Sequence, residues 1–367
     1  MNELLPTIDA WRSEGIAFGR AVLIRTFGSA PRPEGATLLV AQDGRLAGSV
    51  SGGCVEGACV EEVLAARRSG LARVVRYGIT DEQAWDVGLA CGSTIDVLIE
   101  PELRPEVEQA ARTGAGTAVV IPLPNGAPGA ADGPHRAASA PPAAAYVVGS
   151  TGGRHTEAVA PEPAVLEAAH HALGAGRSTT LALADRQYFI EAFPIPARLV
   201  VFGAVQVAIP LVRFAHEVGF RTIVADARAA FATRERFADA DELVVAWPEE
   251  VARRIGLQAS DSVVVMTHDP KLDEPAIAAA MNAGCGYVGA MGSRRTQQAR
   301  RQRLLQIGLD ERQLDRLRAP VGLDLGGRDP AETALAILAE VVAIRHGATA
   351  APLSARDGRR AEPLAVG

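Results

Sequence analysis

Four cysteines occur in the chain, at 54, 59, 91 and 285, and two of them stand where a thiol could meet a ligand. Cys54 follows a diglycine in "GSVSGGCVEG" (48–57), and Cys91 precedes Gly92 in "GLACGST" (88–94). Gly52 and Gly53 leave room for a bulky guest and turn their amides outward, with Glu56 close by in the same turn. A thiol at the head of a helix faces the positive end of its dipole, which favours thiolate. On residue types alone, a reactive Cys54 and a buried inert one stand level. Cys54 and Cys91 are not a zinc pair by spacing, since no C-x-x-C or partner histidine lies nearby. Cys59 falls at a core spacing within the expected helix, and Cys285 at a strand entrance; both read as structural.

A second group of candidates belongs to the strand ends of the other half of the chain. "RLVVFGAVQVAIPLVRFAHEVGFRTIVADAR" (198–228) reads as strand, glycine turn, helix and strand. Gly203 permits the turn, and Asp226 lies where dinucleotide folds place a carboxylate for a ribose hydroxyl. Val205 stands at the second glycine position and would crowd a pyrophosphate, so NAD(P) is disfavoured and a sheet without dinucleotide stays open. "MTHDP" sets Thr267, His268 and Asp269 at the carboxyl end of a further strand. "GSRR" places Ser293 as a helix N-cap, followed by Arg294 and Arg295, a setting that suits phosphate. Capping and turn roles remain the alternative for each of these residues. Arg300, Arg301 and Arg303 read as a solvated face.

The elements needed to position these groups are visible as patterns. "AVLIRTFG" and "TLLVAQDG" read as strands, "ARVVRYG" as another, and "STIDVLIEP" as a half-buried one from its alternation. "CVEGACVEEVLAARRSG" has Val55, Cys59, Val63 and Ala66 at helical spacing, with Gly70 as its stop. The loop into the last helix supplies Asp329 as N-cap, Pro330 as first helical residue and Glu332 as the reciprocal acid. Leu335, Leu338 and Val342 are its expected core positions. The expected fold class is α/β, an N-terminal α/β domain followed by a Rossmann-like doubly wound parallel sheet. The boundaries are 1–123 for the thiol-bearing domain, 124–145 for a flexible linker or insertion rich in Ala, Pro and Gly, and 146–195 for its continuation or a connector. The Rossmann-like domain then spans 196–347, and 348–367 reads as a disordered tail.

Composition narrows the function classes. The 367 residues exceed one ordinary core, and 48% hydrophobic with 22% charged residues is a globular balance. A formal charge of −6 argues against general nucleic-acid affinity. No apolar run approaches the roughly 20 residues of a membrane helix. The opening "MNELLPTIDAW" has early acids and no basic stretch, so it is read as no signal peptide, and four scattered cysteines give a cytoplasmic expectation.

Five ordered motifs carry a resemblance: "GSVSGGCVEG", "YGITDEQAWDVGLACGSTIDV", "MTHDPKLD", "YVGAMGSRR" and "RLRAPVGLDLGGRDPAETALAILAEVVA". Over about 10–100 and 196–347 the chain resembles the xanthine dehydrogenase accessory protein family, which also includes the carbon monoxide dehydrogenase accessory proteins. The resemblance implies a cytoplasmic maturation factor that binds molybdenum cofactor (molybdopterin, in mono- or dinucleotide form). A chaperone without turnover leads; an NAD(P)-dependent oxidoreductase or a thiol-based sulfur-transfer enzyme using Cys54 and Cys91 are the alternatives. The resemblance further implies help in sulfuration, contact with a cysteine desulfurase and a molybdenum hydroxylase apoenzyme, and a homodimer. The family's functional cysteines fall on Cys54 and Cys91, where soft thiolates suit a thiophilic metal centre or a sulfur relay. The chain departs at 203–206: it has "GAVQ", with Gln206 where a GxGH-like start carries histidine.

Overall fold

The computed structural model describes residues 1–28, 32–78, 94–127, 137–149, 162–184 and 186–355. It divides into two compact units, Met1–Ile195 and the chain from Pro196 onward.

The described residues of the first unit form two sheets and the helices that cover them. One sheet contains β1 (Phe18–Phe27), β2 (Thr37–Ala41), β3 (Leu46–Gly48), β4 (Ala72–Tyr77), β5 (Thr94–Glu100) and β7 (Ala137–Ala140), in the order β3-β2-β1-β5-β4-β7. The other contains β6 (Thr117–Pro122), β8 (Tyr146–Gly149), β9 (Thr179–Leu183) and β10 (Arg186–Phe193), in the order β8-β6-β10-β9. Every pairing in both is antiparallel. Successive residues of a strand face opposite ways. Ala21 and Leu23 of β1 therefore pack under α2 (Glu56–Ser69) with Cys59, Val63 and Ala66. Val22 and Ile24 instead join Val119, Ile121 and Phe189 between the sheets, together with α1 (Leu5–Ser13) and α3 (Pro105–Thr113). The far face of the second sheet is covered by α4 (Pro163–Ala175) through Val165, Ala169 and Ala172.

This layering corrects two expectations. β5 is buried from Ile95 to Glu100 rather than on alternate residues, because it lies between β1 and β4 with both faces covered. The segment expected as a loose linker contributes β7, whose Ala137–Ala140 pair with β4.

The second unit is built on a six-stranded parallel sheet: β11 (Arg198–Phe202), β12 (Arg221–Ala225), β13 (Glu242–Val244), β14 (Ser262–Val265), β15 (Tyr287–Ala290) and β16 (Leu317–Arg318). The order β13-β12-β11-β14-β15-β16 reverses direction between β11 and β14, the switch point at which doubly wound sheets open a crevice. On one face lie α5 (Ala208–Glu217) and α10 (Pro330–Arg345); on the other lie α6 (Pro248–Ile255), α7 (Pro270–Asn282), α8 (Arg294–Gln306) and α9 (Glu311–Asp315). The fold is thus mixed α/β with a Rossmann-like second unit.

Asp329 and Glu332 form a reciprocal capping box at the head of α10. The buried stripe is Ala334, Ile337, Leu338 and Val341, and Leu335 is 51% exposed. Of the expected core positions, Leu338 is buried and Val342 packs part-buried against the same cluster, whereas Leu335 points to water and Ala334 and Ile337 carry the inward face beside Leu338. On α5 the spacing predicts Ala208, Val212, Ala215 and Val218 inward; the first three are buried together with Leu211, and only Val218, at the C-cap, is 49% exposed. Asp329→Ala should lower the stability of the unit by about 1 kcal/mol, read as a lower denaturation midpoint. Leu335→Gln, at an exposed position, should change it by less than about 0.5 kcal/mol. Among the described residues, no helix is long and apolar enough to cross a membrane.

Candidate functional site

The thiol loop runs from the end of β3 into α2 and is folded around its own carboxylate. Glu56, first residue of α2, reaches back over residues 49–55. Its Oε1 accepts from Ser49 Oγ at 2.6 Å, Val50 N at 3.2 Å, Ser51 N at 2.9 Å and Gly52 N at 3.2 Å. Its Oε2 accepts from Ser51 Oγ at 2.5 Å, Gly53 N at 2.9 Å and Val55 N at 3.2 Å. Burial alone would raise the carboxyl pKa, but the serine hydroxyls and the Ser51 amide outweigh it and hold the value at about 2. Ser51 Oγ in turn accepts from the amides of Cys54 and Val55 at 3.0 and 3.1 Å. The residue N-capping α2 is Val55, which has no side-chain acceptor to offer; Glu56 accepts from the Val55 amide itself and from amides of the loop before it.

Two expectations change here. The helix begins at Glu56, two residues beyond Cys54. The Gly52 and Gly53 amides are engaged by Glu56 rather than open to a guest. What does face open space is the glycine backbone. Gly52 and Gly53 are exposed with φ of 83° and 120°, and a Cβ built on Gly53 or Gly57 would touch nothing within 4 Å.

Cys54 is half-buried, resting on the apolar cluster beneath α2. The other two described thiols differ. Cys59 is fully buried, and burial pushes its thiol up to about 12, with the Tyr77 hydroxyl partly opposing. Cys285 is 1% exposed and pushed up to about 11 by burial and by the nearby Asp261 charge. Neither thiol ionises near neutral pH, so Cys54 is the reachable sulfur of the three. Cys91 and Gly92 lie outside the described residues. No group of three or more metal-ligating side chains occurs among the described residues.

In the second unit, the remaining candidates gather at the carboxyl ends of the strands. Gly203 ends β11 with φ of 115°, and a Cβ there would stand 2.9 Å from Thr267 Cγ2, so β11 and β14 meet closely at the switch point. Asp226 ends β12 and is 3% exposed. Its Oδ2 accepts from Ala204 N at 2.9 Å and Arg228 Nη2 at 2.8 Å, and its Oδ1 from Arg228 N and Nε, both at 2.9 Å. Burial opposes its ionisation, yet Arg228 and these amides hold its pKa below the usual range. The carboxylate expected to take a ribose hydroxyl is therefore filled from its own chain.

His268 is exposed and adopts φ of 64°, a conformation uncommon for a residue with a Cβ. Asp269 caps α7 through Lys271 N at 3.0 Å, and Ser293 caps α8 through Thr296 N at 3.2 Å. Arg294 is the first residue of α8, and Arg295 is exposed. Arg300 departs from expectation. It is 3% exposed, donating to Asp273 Oδ2 at 2.7 Å and to Met291 O at 2.9 Å. Asp273 Oδ1 receives Thr267 Oγ1 at 2.5 Å, so one buried ion pair ties the loops after β14 and β15 together. Sequence reasoning passed over Asp273, Arg300 and Arg228. An acid one turn inside α7 and an arginine two residues past Asp226 were the available signals.

A half-exposed thiol on a glycine turn in one α/β unit, joined in sequence to a Rossmann-like unit with polar side chains at its switch point, defines a two-part α/β protein. Comparison with known proteins gives the family. Residues 11–78 match the model described as the XdhC and CoxI family, and residues 199–341 match the XdhC Rossmann domain. The chain belongs to the XdhC and CoxI family. It is 27% identical over 336 residues to a Bacillus subtilis protein named as a probable xanthine dehydrogenase component, covering 89% of this chain and 92% of that protein. It is 26% identical over 344 residues to the molybdenum cofactor insertion chaperone PaoD of Escherichia coli, covering 92% and 88%. A solved structure of a xanthine dehydrogenase from Bacillus halodurans matches with TM-score 0.67 and 26% identity, over 92% of this chain and 94% of that one.

Proposed function

We propose that the protein is a maturation factor that holds molybdenum cofactor as cargo and passes it to a molybdenum hydroxylase of the xanthine dehydrogenase type. The observation that carries this reading is Cys54, a half-exposed thiol beside glycine backbone that borders open space. Similarity over nine-tenths of the chain to a protein named a molybdenum cofactor insertion chaperone supports this choice of cargo. A soft sulfur donor fits a metal that arrives already chelated, for which a full protein ligand set is not required. The loop does not fit the cofactor's phosphate in the same way, since Glu56 already holds the amides and would repel an anion. The phosphate contacts belong elsewhere on the protein. Sulfuration of the cargo, contact with a cysteine desulfurase, a homodimeric state and a cytoplasmic place of action complete the proposal, with Cys91 as the second thiol.

Protein purified after co-expression with cofactor biosynthesis should retain molybdenum, measured by elemental mass spectrometry per chain. Cys54→Ser should reduce retention roughly tenfold or more. Cys59→Ser should leave retention intact and alter only stability. Equal retention by wild type and the Cys54/Cys91 double serine variant would remove thiols from the mechanism.

A further inference from the structure

We propose that the second unit binds a nucleotide carrying a phosphate on its ribose, with Arg228 as the phosphate ligand and Phe231 as the base platform. Ribose recognition at the end of a second Rossmann strand usually rests on a carboxylate with free lone pairs. Asp226 occupies that position but is filled by four donors, three of them from Arg228. It cannot take a ribose hydroxyl without giving up a bond it already has. What stands at the position instead is a guanidinium. Asp226 Oδ2 touches both Ala204 N, in the glycine turn, and Arg228 Nη2, so the cation lies one carboxylate away from the turn.

Arg228 is 39% exposed at its side chain, and Nη1 has no hydrogen-bond partner among the described residues. The guanidinium is thus held at two nitrogens and offers the third to solvent. That presentation fits a phosphate, which takes charge-assisted bonds from arginine. Phe231 lies under the same guanidinium at 4.2 Å from its ring centroid and remains 41% exposed. An exposed aromatic ring capped by arginine gives a stacking surface for a flat base. Arg236 fixes this platform to the crevice by donating to Ala204 O at 2.9 Å and to Phe231 O at 2.6 Å. Asp269 and Asp273 act on Arg228 as nearby charges, and Asp273 is itself paired to Arg300 at 2.7 Å. Val205 disfavours a pyrophosphate at the turn, so the proposed ligand is confined to a mononucleotide.

This inference stands apart from the cofactor reading, because its residues and its probe are different. The test is isothermal titration of the full chain with adenosine 2′,5′-bisphosphate and with 5′-AMP at low salt. The bisphosphate should bind about 10- to 100-fold more tightly, the range for hydrogen bonds to a charged group. Arg228→Ala should close that gap, since it removes the cation and frees two acceptor positions on Asp226 for a ribose hydroxyl. Phe231→Ala should weaken both ligands while keeping their ratio, and serves as the second variant if Arg228→Ala does not fold. Equal affinity for the two ligands, no saturable binding of the bisphosphate, or a gap that survives Arg228→Ala would each overturn the proposal.

Discussion

Arg20→Ala is expected to lower the stability of the first unit by about 3–5 kcal/mol, the cost of breaking a buried ion pair by removing one partner. That is a large share of the roughly 5–15 kcal/mol that holds an ordinary domain together. Arg20 is fully buried on β1 and faces the second sheet. It donates through Nε to Glu100 at 2.7 Å and through Nη1 and Nη2 to Glu191 on β10 at 3.1 and 2.9 Å. Glu100 and Glu191 are 1% and 2% exposed. Without Arg20, Glu100 keeps Arg104, whereas Glu191 is left buried with no arginine partner among the described residues. Adding Glu191→Gln to Arg20→Ala should therefore recover part of the loss, read as a partial return of the urea midpoint.

The pH dependence has a definite sign. Burial opposes ionisation of Glu100, but the Arg20 and Arg104 charges outweigh it and lower its pKa from 4.5. A lowered folded value contributes stability above the unfolded pKa and loses it as pH falls through the folded one. Arg20→Ala shrinks that contribution, so wild type and variant should converge as the pH drops below about 4.5. A gap that stays constant across this range would show that lost packing, not charge, accounts for the effect.

That buried network also marks where sequence patterns stop being informative. In β5 the string "TIDVLIE" alternates as though one face were wet. Both acids are in fact neutralised inside the unit, Asp96 by Arg76 and Glu100 by Arg20, partners 20 and 80 residues away. No local window contains them. Arg300 failed for the same reason: a basic helix looks solvated until one of its turns is found opposite Asp273. Local signals were read correctly where the partners are local. The Asp329–Glu332 box spans a single turn, and the stripe Val55, Cys59, Val63 and Ala66 is buried throughout at 1% exposure or less. The strand–glycine–helix–strand of the second unit likewise needs only one βαβ stretch to be seen. At the thiol loop the residue types were legible but the direction of the amides was not. Their direction depends on where the Glu56 side chain goes.

Glu56→Ala should cost about 2–3 kcal/mol and loosen the loop that carries Cys54. Two hydroxyls and five amides lose a bond at once, and among the described residues only the Gly52 and Val55 amides keep another acceptor, Ser49 Oγ and Ser51 Oγ respectively. The exposed Gly52 and Gly53 amides can turn to water, but Val50 and Ser51 are 0% and 2% exposed and cannot. A buried donor left unpaired costs about 1–3 kcal/mol, so the interior positions decide the total. Glu56→Gln tests the charge separately, since it keeps one acceptor oxygen and turns an N–H₂ toward amides that also donate. In wild type the depressed pKa means that this stabilisation is present above 4.5 and lost as pH falls through about 2. Because the carboxylate is partly open to solvent, the pH-dependent part of this cost is only on the order of 1 kcal/mol. Amide hydrogen exchange over residues 50–55 should rise in both variants. Labelling of Cys54 by a thiol reagent should rise with it, while Cys59 and Cys285 stay protected. Unchanged exchange in Glu56→Gln would mean that the glycine turn holds its shape without the carboxylate. In that case its amides could after all be released to an incoming anion at little cost, and the loop would again be a candidate for the phosphate of the proposed cargo.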